Sequence, residues 1–96
     1  MARYVLLLKW TDQGIKNAKD TVKRAGDAKA YFEKAKAKMV DCVWTLGPYD
    51  LVIKAEAPDD ETITAIAIGL GKLGNVTTTT MRAFDEGEMS KILQKV

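Results

Sequence analysis

The chain has 96 residues, 47% apolar and 29% charged, and its 15 basic and 13 acidic residues leave a net charge of +2. That composition suits one globular domain spanning 1–96, and the near-balance of charge argues against a dedicated nucleic-acid binder, which carries a concentrated basic face. With no histidine and a single cysteine, histidine triads, imidazole metal sites, thiolate clusters and intrachain disulfides are all excluded.

Met1-Ala2-Arg3 runs straight into a strand whose apolar run is broken by Lys9, so no secretory signal is visible. No stretch approaches bilayer-spanning length. A cytoplasmic protein without membrane or nucleic-acid partners is expected. A chain this short buries a modest share of its surface alone, and a second copy of itself would help it.

Ala2 to Trp10 reads as the first strand. Tyr4, Leu6, Leu8 and Trp10 alternate on one side, and Arg3, Val5, Leu7 and Lys9 on the other. Large apolar residues at the centre of both sides imply a strand covered twice. Thr11-Asp12 follows as a helix-cap signal, with either side chain able to accept from the first free N–H groups. Gln13 to Met39 is helical in composition, with a kink or break expected at Gly26-Asp27. The lysines crowded along this segment read best as a solvated outer face.

Val40 to Glu56 reads as a hairpin folded about Gly47-Pro48-Tyr49-Asp50, where Gly47 allows unusual backbone angles and Pro48 fixes its own φ. Cys42, Trp44 and Leu46 are expected to face the core on its first arm, leaving Asp41, Val43 and Thr45 on the other side. On its second arm Leu51, Ile53 and Ala55 face the core, and Val52, Lys54 and Glu56 the other side. Ala57-Pro58-Asp59-Asp60-Glu61 is a loop and helix start, in which Pro and acidic residues suit the first turn. Thr62 to Leu73 follows as a short apolar helix whose Gly69 and Gly71 suggest close packing. Val76 to Phe84 is the last strand, and either Thr77/Thr79/Met81 or Thr78/Thr80/Arg82 makes a sensible inner face. Asp85-Glu86 opens a terminal helix with Met89, Ile92 and Leu93 as its apolar stripe.

The order strand, helix, strand, strand, helix, strand is the ferredoxin-like βαββαβ pattern, an α+β fold with both crossover helices on one sheet face and a C-terminal helix added. The opposite face is too apolar to meet water. Two such sheets packed face to face would make a dimeric α/β barrel, with assembly beyond the dimer left open.

Across nearly its whole length the chain also resembles the GYD domain family. The resemblance is carried by Tyr4–Trp10 with Thr11-Asp12-Gln13-Gly14, and by Trp44-Thr45-Leu46-Gly47-Pro48-Tyr49-Asp50. Glu56 to Glu61, Leu73-Gly74-Asn75-Val76 and Arg82-Ala83-Phe84 complete it. The Gly-Tyr-Asp signature appears as Gly47, Tyr49 and Asp50, with Pro48 set between the first two in the looser Gly-x-Tyr-Asp form. The resemblance implies membership of the dimeric α/β barrel group and brings no established biochemical function with it.

On this architecture Lys9, Asp41, Thr45, Lys54 and Glu56 surround an apolar interior, with Tyr49 and Asp50 at its mouth. A few polar groups converging in an apolar cavity describe a small-ligand pocket. The plainer alternative pairs these charges at the rim or across the subunit interface, and makes Tyr49 and Asp50 purely structural, Asp50 accepting backbone N–H bonds in the turn. Cys42 reads as an inert small hydrophobe. No metal or cofactor is implied. Three functions remain: a small-ligand-binding or effector-sensing module, a cofactor-free monooxygenase- or isomerase-like enzyme, and a purely structural dimer. Without histidine, a base would be Asp41, Glu56, Lys54 or Tyr49.

Overall fold

In the structure, a computed structural model, all of residues 1–96 are described. Strand β1 (Ala2–Trp10) leads through the one-turn helix α1 (Asp12–Lys16) and a 3-10 turn (Ala18–Asp20) into α2 (Thr21–Lys34). Strands β2 (Lys38–Trp44) and β3 (Leu51–Ala57) form the hairpin, followed by α3 (Asp60–Lys72), β4 (Val76–Ala83) and α4 (Glu86–Leu93). The sheet is antiparallel throughout in the order β2-β3-β1-β4, the ferredoxin-like arrangement.

One sheet face and the helices close the core. Tyr4, Leu6 and Leu8 of β1 and Leu51, Ile53, Ala55 and Ala57 of β3 are buried together with Met39, Phe32, Ile63, Ile66 and Leu70. Leu6, Phe32 and Ile66 have almost no exposed surface, and each such side chain contributes about 2–3 kcal/mol of transfer free energy. The alternation expected for β1 and β3 is therefore observed.

The helical segment departs from expectation. The break lies at Asn17–Asp20, while α2 runs unbroken through Gly26. Its cause is local capping: Asn17 Nδ2 donates to Gln13 O at 3.0 Å, and Arg24 donates to the carbonyls of Asn17 (2.6 Å) and Gly14 (3.2 Å). These bonds satisfy the ends of α1 and stop it after one turn. The helix also ends sooner than expected, at Lys34, with Lys36 at φ 62 reversing the chain. Met39 belongs to β2 and is buried there.

In β2 a bulge leaves Val40 unpaired between Met39, opposite Ala55, and Asp41, opposite Lys54. It resets the alternation, so that Met39 and then Cys42 and Trp44 share the helix side. Leu46 is a correction: it is fully exposed, not core. Residues 45–50 form a closed loop, with Thr45 N donating to Asp50 O (2.9 Å) and Thr45 Oγ1 to Tyr49 O (2.6 Å), and this leaves Leu46 outside both arms.

Asp59 caps α3 and Asp85 caps α4, each accepting from a backbone N–H three residues on. The bonds to the Thr62 hydroxyl and N–H hold the Asp59 carboxyl below its usual range, and the Glu88 N–H, assisted by Arg3, does the same for Asp85. Helix α4 is held mainly by charge. Arg3 reaches Asp85 (3.2 Å) and Glu88 (3.5 Å), and Arg82 reaches Glu88 (3.5 Å). Its Met89 and Leu93 remain exposed, as does Phe84 just before it.

Candidate functional site

The face of the sheet turned away from the helices carries most of the polar residues singled out by sequence. Cross-strand pairing fixes its rows. Val43, Val52, Leu7 and Thr79 form one row, and Asp41, Lys54, Val5 and Met81 the next. Glu56, Arg3 and Ala83 lie beyond, with an Arg3–Glu56 contact of 3.7 Å, and Lys9 pairs with Thr77 at the other end. The ladder thereby settles the fourth strand: Thr77, Thr79 and Met81 share this face, and Thr78, Thr80 and Arg82 share the helix side. Val43 is 46% and Met81 42% exposed, with Val5, Leu7 and Val52 half-buried. The centre is an apolar band, and Lys9, Asp41, Lys54 and Glu56 surround it.

Thr45, Tyr49 and Asp50 stand apart from those four, in the hairpin loop. Thr45 uses its hydroxyl on the Tyr49 carbonyl. Asp50 ties the loop to β1: its N–H donates to Leu8 O at 2.8 Å, and its carboxylate accepts from Trp10 N at 2.8 Å. The carboxylate thus takes the place of the next backbone carbonyl as the β1–β3 ladder runs out. The acceptor role expected for Asp50 is real, but its donor comes from β1 rather than from the turn. Gly47, at φ 117, adopts the angle that the loop needs and other residues resist.

The densest polar knot lies at the end of β1. Thr11 caps α1 through Gly14 N (3.1 Å) and donates from its hydroxyl to Gly74 O (2.5 Å), while its N–H donates to Asn75 O (3.0 Å). Gln13 Nε2 reaches Leu73 O (3.1 Å) and Asn75 Oδ1 (3.0 Å). Gly14 is buried against Asn75, where a Cβ would stand 2.0 Å from the carbonyl oxygen. Two motifs that sequence could only read as separate helix punctuation are therefore one clasp joining β1 to the α3–β4 turn.

Beside this clasp, on the helix side, α2 and α3 part to leave an apolar cleft of about 310 Å³. Leu8, Leu51 and Ile53 floor it, Ala25 and Ala28 form one wall, and Leu70 and Leu73 the other. The Tyr31 side chain also lines it, with its hydroxyl set against Gly69, whose missing Cβ admits it. Arg24, Asp27, Thr21 and Asn75 are its polar lining. Sequence reasoning missed this hollow. The available signal was the pairing of small residues Ala25 and Ala28 one turn apart.

Two further groups have displaced acidities with structural causes. Burial, reinforced by the 2.5 Å bond from its hydroxyl to Asp60, pushes the Tyr4 phenol up to about 12. Burial and then the Asp41 charge push the Cys42 thiol up, consistent with an unreactive side chain. Gly71, expected to mark a close approach, has open space around it. No three of the Cys, Asp and Glu side chains converge to hold a metal ion, and no helix is long and apolar enough to cross a membrane.

No curated protein and no solved structure shows significant similarity to the chain. The family model for the GYD domain matches residues 4–93, which takes in β1 from Tyr4, the other three strands, the clasp and the hairpin signature. By that match, over nearly its whole length, the chain belongs to the GYD domain family.

Proposed function

We propose that the protein is a self-associating small-ligand-binding or effector-sensing module, in which two copies pack through their open sheet faces as a dimeric α/β barrel and enclose the ligand site. The observation that carries this reading is the apolar band Val43–Val52–Leu7 with Val5 and Met81, exposed on a face that no element of the same chain covers. A second copy suits it, because a two-fold axis through the band would set the same apolar patch of each copy against the other. Four strands of about seven residues present a face on the order of 450 Å² in plan. A stable interface buries about 800 Å² per partner, so the contact would extend beyond the sheet face itself.

Light scattering and native mass spectrometry of the purified protein test this reading together. The expected particle has twice the 10.6 kDa chain mass, and Leu7→Lys, which places a charge in the middle of the band, converts it to a folded monomer. Additional mass retained on the dimer and lost in the Leu7→Lys variant identifies the ligand. A wild-type monomer at tens of micromolar refutes the assembly and the enclosed site with it.

A further inference from the structure

The cleft between α2 and α3 lies on the opposite side of the sheet from the proposed interface, so its occupancy does not depend on whether the dimer forms. We propose that this cleft binds an amphipathic carboxylate: an apolar body of about eight to ten carbons in the hollow, with its carboxylate at the mouth against Arg24.

Three observations meet here. The first is size and lining. At about 310 Å³ the hollow is roughly twice the 150 Å³ apolar cavity known to admit benzene, and it corresponds to about ten water volumes or a similar number of methylenes. Nine of its thirteen lining residues are hydrophobic, so water inside would find few partners and an alkyl chain many. The small side chains Ala25 and Ala28 keep the α2 wall shallow.

The second is charge. Arg24 and Asp27 are the two charged residues in the lining. Asp27 lies 3.6 Å from the Lys23 ammonium, one turn earlier on the same helix. Arg24 has no carboxylate within ion-pairing distance. Its guanidinium is fixed by Asn17 O and Gly14 O, which occupy two of its five N–H donors and leave the others free in a set orientation. A pre-oriented guanidinium beside an apolar hollow is the chemistry that selects a carboxylate over an alcohol of equal length.

The third is a further donor in the lining, with both tryptophans close by. The Thr21 hydroxyl, part of the lining, accepts from Trp44 Nε1 at 3.0 Å and keeps its own proton for an acceptor. Trp10, directly across the ladder from lining residue Val76, has its Nε1 buried without a partner. Both tryptophans of the chain therefore sit within one residue of the cleft and report on its occupancy.

The test uses the wild-type protein, titrated with decanoate, decanol and butyrate below their aggregation concentrations, and followed by tryptophan fluorescence and calorimetry. Decanoate is expected to bind with one equivalent per chain and to alter the fluorescence. Decanol should bind at least about tenfold more weakly, the equivalent of one charge-assisted hydrogen bond, and butyrate not detectably. Ala28→Phe, which fills the hollow from its α2 wall, should abolish decanoate binding while leaving the circular dichroism and particle mass unchanged. Arg24→Gln should bring decanoate and decanol to equal affinity. Should that variant unfold through loss of the α1 caps, the wild-type carboxylate-to-alcohol ratio still decides. Equal wild-type affinities, binding undiminished in Ala28→Phe, or no binding at millimolar decanoate would each overturn the proposal. So would loss of decanoate binding in a folded Leu7→Lys variant, because that locates the ligand on the other face.

Discussion

Gly14 and Gly26 are both helical glycines, and replacing each with alanine should move stability in opposite directions. At Gly26 a Cβ meets nothing within 4 Å. The substitution there limits the unfolded chain and improves helix propensity, a gain of about 0.5–1 kcal/mol. At Gly14 the added carbon would stand 2.0 Å from Asn75 O and 2.9 Å from its carbonyl carbon. The obstacle is backbone, so no side-chain rotation relieves it. The clasp must open, at an overpacking cost of about 1–3 kcal/mol. At least one of the bonds Thr11 N to Asn75 O and Gln13 Nε2 to Leu73 O is lost as well, adding about 1 kcal/mol. The propensity gain offsets about 1 kcal/mol of this, leaving a net loss of about 1–3 kcal/mol. For a domain of this size that is a fall in Tm of roughly 6–18 °C, against a rise of about 3–6 °C for Gly26→Ala. Thermal and urea melts by circular dichroism, at one fixed protein concentration because association shifts Tm, measure both. A Gly14→Ala protein within about 0.5 kcal/mol of wild type would show that the clasp is not the constraint described.

Asp50→Ala should cost about 1–2 kcal/mol by leaving the part-buried Trp10 N–H without its acceptor, whereas Asp50→Asn, which keeps an oxygen there, should stay within about 0.5 kcal/mol; equal losses in urea melts would mean that the charge and not the hydrogen bond matters. Tyr4→Phe should cost about 1 kcal/mol at neutral pH. Because folding raises the phenol to about 12, above its ordinary value near 10, the stabilisation from the protonated group is complete below pH 10 and disappears as pH climbs through 12. The wild-type-minus-variant difference in urea midpoint should follow that course, and a difference that grows above pH 10 would contradict it. The raised Cys42 thiol should react with a disulfide reagent at pH 7.5 more slowly in the folded protein than in the urea-unfolded chain, and faster reaction when folded would reverse the assignment.

The sheet was legible because period-two alternation needs only local residues: Tyr4/Leu6/Leu8 and Leu51/Ile53/Ala55 are buried where the pattern puts them. The helix break was not. Gly26 offers a visible cue, yet a helix carries one glycine at modest cost, while the true stop at Asn17 depends on Arg24 folding back seven residues. Leu46 misleads because its apolar side chain extends the strand pattern, although Thr45 and Asp50 have already closed the loop. The clasp shows the limit most clearly. Thr11 and Gln13 announce a helix start, but nothing nearby in sequence says that their partners are Leu73, Gly74 and Asn75. The cleft is harder still, since a hollow is defined by side chains that stop short, and alanine spacing on one helix does not specify how far away the next helix will lie.

The bulge at Val40 gives the sheet two dissimilar margins. Along β2 the ladder is interrupted, the Cys42 N–H is taken by the Asp41 carboxylate at 3.0 Å, and Lys38 and Asp41 add charge; such a margin repels an incoming strand. Along β4 the pairing with β1 is regular from Arg3–Ala83 to Trp10–Val76, and the outer backbone groups of a threonine-rich strand face solvent. Strand addition therefore has one available direction. The Thr11 N to Asn75 O bond sets the register in which the backbone groups of Thr77, Thr79 and Met81 bond inward to β1 and those of Thr78 and Thr80 point outward, so a proline at Thr80 would close the β4 margin to an added strand without removing a ladder bond.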